Sequence, residues 1–420
     1  MLPAHSGDSF QIRRRDVATA SSRRSSADAP GEAVNRASAT RSGPLHVTTF
    51  DGVRGLVVLA VVVAHIFGST HWAPRAEFLL GLRRSMFFSV DFLFLISGFV
   101  LFLPVVARGS FGSVRSYALR RVGRIVPSYY VSIAITVGLL ALVGPSYPAP
   151  HEATAVLAHL SFVQFQAYFP LVGLGINAVW WTLSTIVLFY ITLPLIAEGY
   201  LRRPWLGLAL ALSIAGLWQL WLPDLNLSSA RWSAQYPHFL DDFAIGMTAA
   251  VVYVALKHRF AAERMWRASV WALVTAGGTL VYVLYRAGAA VARGETTPYV
   301  EGPLLSIAVP LAFAIVVVAL ALAPPGVQWP LSKRAARWLG DVSLGVFLYH
   351  MIVVYLALEL LGIEPDGDRA SMLALAAVVL PSTLVVAWLS AIAVERPLRA
   401  RIRGFADRQP PADQQIRSAR

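Results

Sequence analysis

The chain has 420 residues, of which 56% are hydrophobic and only 14% charged, with no cysteine and a formal net charge of +13. Soluble domains are about 45–50% apolar and about 25% charged, so this excess excludes a soluble fold and has to be organised as membrane spans. The missing cysteine excludes disulfides, thiolate catalysis and Cys-ligated zinc, and no metal and no resident cofactor are expected. On a chain this apolar, positive charge is a topology signal, and nucleic acid is not an expected partner.

Residues 1–46 hold Arg13, Arg14, Arg15, Arg23, Arg24, Arg36 and Arg41 among many Ser and Ala. Without apolar periodicity they read as a disordered basic tail kept in the cytoplasm. Residues 47–400 form the transmembrane domain. Its apolar segments lie near 53–69, 87–107, 125–144, 178–198, 205–221, 238–257, 267–286, 302–322, 339–361 and 371–394. At 1.5 Å per residue each suffices for a hydrocarbon core of about 30 Å, the first marginally. The predicted fold is all-α, a polytopic transmembrane helical bundle of about ten helices. The stretch 154–172, with His159, Gln164 and Gln166, reads as an interfacial or re-entrant segment. Residues 401–420 read as a second basic cytoplasmic tail.

Basic residues then fix the orientation. With ten spans and the N-terminus inside, 28 of the 36 Lys and Arg fall on the cytoplasmic side and seven outside, Arg54 lying within the first span. That asymmetry predicts a multi-pass protein of the inner (plasma) membrane with both termini cytoplasmic.

Every extramembrane loop is short, so the chemistry sits among the helices, where ionisable groups are costly and mark function. Arg54 and His65 are eleven residues apart, hence on nearly the same face of the first span, about 16 Å apart along its axis. An imidazole titrates near neutral pH and serves as a general base. Asp91 opens the second span, in Ser89-Val90-Asp91 running on to Ser97-Gly98-Phe99. Arg121 and Arg124 share a face at the cytoplasmic mouth of the third span, and paired guanidinium forks suit phosphate. Trp181 and Tyr190 of the fourth span offer a belt or a sugar-stacking surface. His350 lies about mid-span in the segment that begins at Gly340-Asp341, and Glu395-Arg396-Pro397 closes the last span.

In this order and spacing, the motifs resemble the acyltransferase-3 family of bacterial membrane acyltransferases, over roughly residues 48–400. Arg54 and His65 look like that family's Arg/Lys-X10-His motif, Asp91 to Phe99 like its segment ending in Ser-Gly-Phe, and Arg121 and Arg124 like its Arg-x-x-Arg motif. Leu348-Tyr349-His350 and Glu395-Arg396-Pro397 match late family features. One position departs: Ile186 stands where the family usually has a glutamate. Any acid, base or charge-pairing role is thereby lost there.

The resemblance implies transfer of an acyl group, acetyl or another short one, from the co-substrate acyl-CoA to a hydroxyl of a carbohydrate or other small-molecule acceptor. Arg54, Arg121 and Arg124 would hold the donor, His65, Asp91 and His350 would act in catalysis, and Trp181 and Tyr190 would meet the acceptor. A transporter or flippase also uses intramembrane His and Asp. Against it, the sequence shows no inverted repeat and no matched pair of Gly/Pro-broken helices. A third reading, a catalytically impaired homologue, is raised by Ile186. Topology is directly testable. A reporter active only in the cytoplasm is expected to work when fused after Arg403 and to be silent after Arg231. The reverse pattern overturns the arrangement.

Overall fold

The computed structural model describes residues 47–143, 153–164, 176–221, 235–292 and 303–407. The tail 1–46, residues 408–420, Gln166, Arg231 and Arg293 lie outside the described residues. Among the described residues every regular element is helical. In chain order they are α1 (Thr49–Ser69), α2 (Glu77–Ser85), α3 (Ser89–Arg108), α4 (Val114–Val143), α5 (Ala153–Leu160), α6 (Trp181–Arg202) and α7 (Pro204–Trp221). There follow α8 (Leu240–Arg259), α9 (Ala262–Ala292), α10 (Pro303–Leu322), α11 (Pro325–Ser332), α12 (Arg334–Leu361), α13 (Arg369–Ser390) and α14 (Arg396–Asp407). A π-turn over Ala391–Glu395 joins the last two.

The protein is thus a multi-pass helical membrane protein, but the count differs from ten. All ten predicted segments are helical. Among the described residues seven are long and apolar enough to cross a membrane, and an eighth qualifies only as the bent pair Ile307–Leu322 and Pro325–Ser332. The bend between those two is 105°, where Pro324 and Pro325 break the helix. The apolar part of α7, Pro204–Leu220, is too short, and α9 is not among the seven. In the stretch predicted to be interfacial, α5 has eight residues, about 12 Å, and cannot cross alone.

Two apolar cores organise the bundle. One gathers Val62, Tyr129, Trp180, Leu348 and Val379 from α1, α4, α12, α13 and the turn before α6. The other gathers Phe99, Phe189, Phe243 and Val317 from α3, α6, α8 and α10. In it Phe189 and Phe243 stack with centroids 4.1 Å apart. Outer faces are apolar too: Leu142, Leu195 and Leu217 are exposed, as befits surfaces that meet acyl chains.

Lipid is as apolar as leucine, so helices here do not associate by escaping water; close packing has to supply the attraction. The α3–α8 seam is closed by glycine on both sides. A Cβ on Gly246 would overlap the Leu95 carbonyl oxygen, and one on Gly98 would overlap that of Phe243. The α1–α12 seam is alike, with Gly55 and Gly340 against each other's backbones. Overpacking a tight core costs about 1–3 kcal/mol. Gly246→Val is therefore expected to lower the melting temperature of the purified protein in detergent by several degrees, while the exposed Leu195→Val is not. Equal melting temperatures for Gly246→Val and wild type would remove the seam from the account.

Candidate active site

Where the two cores meet, a cavity of about 140 Å³ opens between α1, α3, α4, α6 and α12. Its polar lining includes Arg54, Arg121, Arg124 and Tyr190. The three arginines singled out in sequence thus converge on one space, although α1 and α4 are far apart along the chain. Ile186 and Tyr190 of α6 pack against both cores. Ile186 also lines the cavity, so the wall is aliphatic at that point.

Arg54 is held rather than snorkelling to water. Its Nη2 donates to the Gly340 carbonyl oxygen at 2.8 Å and its Nε to Ser343 Oγ at 3.1 Å. Asp51 Oδ1 lies 3.6 Å from the same Nη2. Ser343 Oγ in turn donates to Gly340 O at 2.8 Å, so the start of α12 forms an acceptor cradle for one guanidinium.

Arg121 and Arg124 lie three apart on α4 and share a face, as expected. The Arg121 guanidinium sits 5.8 Å from the ring centroids of both Tyr117 and Tyr190, whose rings meet edge to face at 6.5 Å beside it. Its Nε is buried without a hydrogen-bond partner. Arg124 lies within Coulomb range of Arg54, Arg121 and Arg399. The nearby carboxylates are those of Asp51 and of Glu395, which pairs with Arg399 four residues on rather than with Arg396 beside it. Like charges crowded into a low-dielectric space gain most when an anion enters.

The two imidazoles meet on the same side of the molecule. His65 and His350 have ring centroids 5.1 Å apart, tilted by 60°. His65 Nδ1 is 2.8 Å from the Val61 carbonyl oxygen, and His350 Nδ1 is 2.9 Å from that of Phe347 and 3.1 Å from that of Val346. A carbonyl oxygen only accepts, so in each neutral ring Nδ1 carries the hydrogen and Nε2 the free lone pair. His350 Nε2 is buried and unpartnered. Phe347 links the two features: it lines the cavity, and its ring lies 5.9 Å from that of His350.

Asp91 is placed elsewhere. It shares the α8-facing stripe of α3 with Leu95 and Gly98, within Coulomb range of the buried Asp241 and Asp242. Among the described residues no hydrogen bond joins it to His65 or His350, so the idea that it orients the imidazole gains no contact. Trp181 stacks on Phe239 at 5.4 Å and does not line the cavity. Its neighbour Trp180 is the fully buried one, donating from Nε1 to Leu348 O at 3.2 Å.

Sequence reasoning did not single out Asp241 and Asp242, although two adjacent carboxylates in an apolar span were a legible signal. It also gave no role to Ser343, whose part as a partner of Arg54 only the fold reveals. Tyr117, outside any span-like motif, left no signal.

A family model described as an acyltransferase domain matches residues 47–392. The chain is 23% identical over 394 residues to the peptidoglycan O-acetyltransferase OatA of Listeria monocytogenes, covering 88% of this chain and 59% of that protein. It is 26% identical over 411 residues to the acyltransferase MdmB of Streptomyces mycarofaciens, covering 88% and 96% respectively. It is 24% identical over 400 residues to the putative peptidoglycan O-acetyltransferase YrhL of Bacillus subtilis, covering 86% and 56%. The chain therefore spans little more than half the length of two of these relatives. No solved structure matches.

The Arg54 cradle generates a prediction. A hydrogen bond to a charged group contributes about 1.5–3 kcal/mol. A lysine keeps the charge but lacks the planar fork that meets Gly340 and Ser343 together. Arg54→Lys is expected to lower thermal stability, as Ser343→Ala does more weakly, and the double variant is expected to lose less than the sum. Strict additivity in the melting measurement would show that the two side chains act independently.

Proposed function

Because the chain belongs to the acyltransferase-3 family, whose acyltransferase-domain model it matches from residue 47 to 392, we propose that it moves a short acyl group, such as acetyl, from acyl-CoA to a hydroxyl of a carbohydrate or other small-molecule acceptor. The observation that carries this reading is the pairing of an arginine-walled cavity with two imidazoles in contact, each anchored through Nδ1 to a backbone carbonyl. The carbohydrate acceptor is suggested by two relatives named as peptidoglycan O-acetyltransferases. The reading takes the arginine cavity to face the cytoplasm, where acyl-CoA is available, in keeping with the basic-residue asymmetry of the sequence.

The steps follow from the groups present. Arg121 and Arg124, with Arg54 behind them, attract the donor's phosphates. A cavity of about 140 Å³ has room for a few waters, enough for a phosphate or a length of pantetheine but not for the adenosine. The acceptor hydroxyl gives its proton to His65 Nε2 as its oxygen bonds to the thioester carbonyl carbon. Collapse of that adduct breaks the C–S bond, and the departing thiolate takes the proton back from His65. Such base catalysis supplies about 10²–10⁴-fold. His350, fixed by two backbone carbonyls, presents its Nε2 beside His65 and positions the acceptor by taking a second hydroxyl hydrogen. Asp91 stays with the carboxylates of α8 and is assigned no proton transfer.

A specific observation favours a second reading. Ile186 makes the cavity wall aliphatic where the family resemblance implies a glutamate, which suits an enzyme with reduced activity. Acyl-CoA binding and turnover by the purified protein separate the two. His65→Gln keeps the size and hydrogen bonding of the side chain but cannot titrate, and is expected to lose at least 10²-fold in turnover with donor binding intact. Arg121→Gln with Arg124→Gln is expected to weaken acyl-CoA binding about tenfold or more. Retained turnover in His65→Gln would remove the base. Tight donor binding with no turnover in the wild type would establish the impaired reading.

A further inference from the structure

Between α7, α8, α9 and α10 lies a second cavity, of about 490 Å³, which no step of the proposed acyl transfer uses. Leu208, Val252, Ala272, Leu311 and Val318 are among the groups that line it. Its two hydroxyls are already engaged. Thr248 Oγ1 shares a hydrogen bond with the Tyr200 hydroxyl at 2.8 Å, and Ser269 Oγ donates to Trp266 O at 2.8 Å. Apart from the indole N–H of Trp205 at its rim, no side-chain donor or acceptor of the wall is left to recognise a polar ligand, so the contents have to be mostly hydrocarbon.

Length narrows the choice. Along α8 the lining runs from Ile245 to Leu256, about 16 Å of helix, or half of a hydrocarbon core of about 30 Å. That is the depth of one leaflet. Trp205, 64% exposed, stands in the wall at the first turn of α7, at the level where tryptophans mark a membrane interface.

Basic charge gathers beyond one end, whereas the carboxylates of Asp241 and Asp242 lie one turn beyond Ile245 at the other. Arg259 follows Leu256 by three residues and continues the lining stripe of α8, and Arg264 precedes Ala268 by one turn on the lining stripe of α9. Lys257 and Arg267 flank them in sequence, against the single acid Glu263 in the first turn of α9. Arg264 makes no hydrogen bond or ion pair among the described residues. Basic pockets between spans are sites for acidic headgroups.

We propose that this cavity is a site for one anionic glycerophospholipid, with an acyl chain lying along α8 between α7, α9 and α10 and its phosphate met by Arg259 and Arg264. The site rests on the membrane placement of the chain and not on the acyl-transfer reading. A lipid held there fills a space that would otherwise leave the walls of four helices without contacts.

The test is native mass spectrometry of the full-length protein, released from detergent supplemented with phosphatidylglycerol or with phosphatidylcholine of identical chains. The wild type is expected to retain phosphatidylglycerol about tenfold better. Arg259→Gln with Arg264→Gln is expected to abolish that preference while leaving weak binding of both lipids. Ala268→Leu with Ala272→Leu, which occupies the cavity with good helix formers, is expected to release both lipids, and its melting temperature shows that it folds. Should it not fold, Ala319→Leu on α10 fills the same space from the opposite wall. Inorganic phosphate alone is expected to neither bind nor raise the melting temperature. Equal retention of the two lipids by the wild type, or unchanged retention in a folded cavity-filled variant, would overturn the proposal.

Discussion

A guanidinium inside a bilayer has to find its acceptors within the protein, and Arg54 finds them on a helix almost 290 residues away in sequence. Its bonds to Gly340 O and Ser343 Oγ tie the first span to α12, and the rest of the site is arranged around that tie. On α1, Val58 and His65 follow Arg54 up the same face. On α12, Ser343 leads to Phe347 and on to His350. Two helices clamped at one end and in contact along their length bring two imidazoles together two to three turns above the clamp. Gly55 and Gly340 make the clamp possible, because any Cβ at either position would hold the backbones apart.

The arginine cavity lies where it does for a related reason. Two separately packed cores leave a seam, and the seam is the place where charged groups escape lipid without displacing apolar packing. α6 runs along it, and Ile186 and Tyr190 touch both sides. Tyr190 and Tyr117, packed edge to face, both lie against Arg121. A cation set beside rings keeps some of its charge uncompensated, unlike one paired with a carboxylate, and so remains able to attract an anion.

Much of this was legible in the sequence. The apolar segments became helices at nearly the expected places because a helix alone satisfies its own backbone in lipid. The common face of Arg54 and His65, and that of Arg121 and Arg124, follow from 3.6 residues per turn. What sequence periodicity does not hold is which helix faces which. The meeting of His65 with His350 and the separation of Asp91 from both are facts of packing between segments distant in the chain. The span count shifted because hydropathy alone does not reveal a 105° bend at Pro324 or how short the apolar part of α7 is.

The π-turn at Ala391–Glu395 has a consequence for how the chain can vary. A π-turn accommodates one residue more than the α-helix around it would need, so everything after it is rotated by about 100° relative to an unbroken α13. That rotation points Glu395 inward, where it is 1% exposed, and sets Arg399 beside it within reach of Arg124. It also lays Ile402 of α14 on Gly123 of α4. Closing this turn to a regular α-helix without shortening the chain would swing the carboxylate out of the protein and lift α14 from its seat, whereas loss of one residue from 391–394 would leave both in register. The turn therefore tolerates loss of its one extra residue better than loss of its π geometry, and its register is a coordinate on which this edge of the arginine cluster depends.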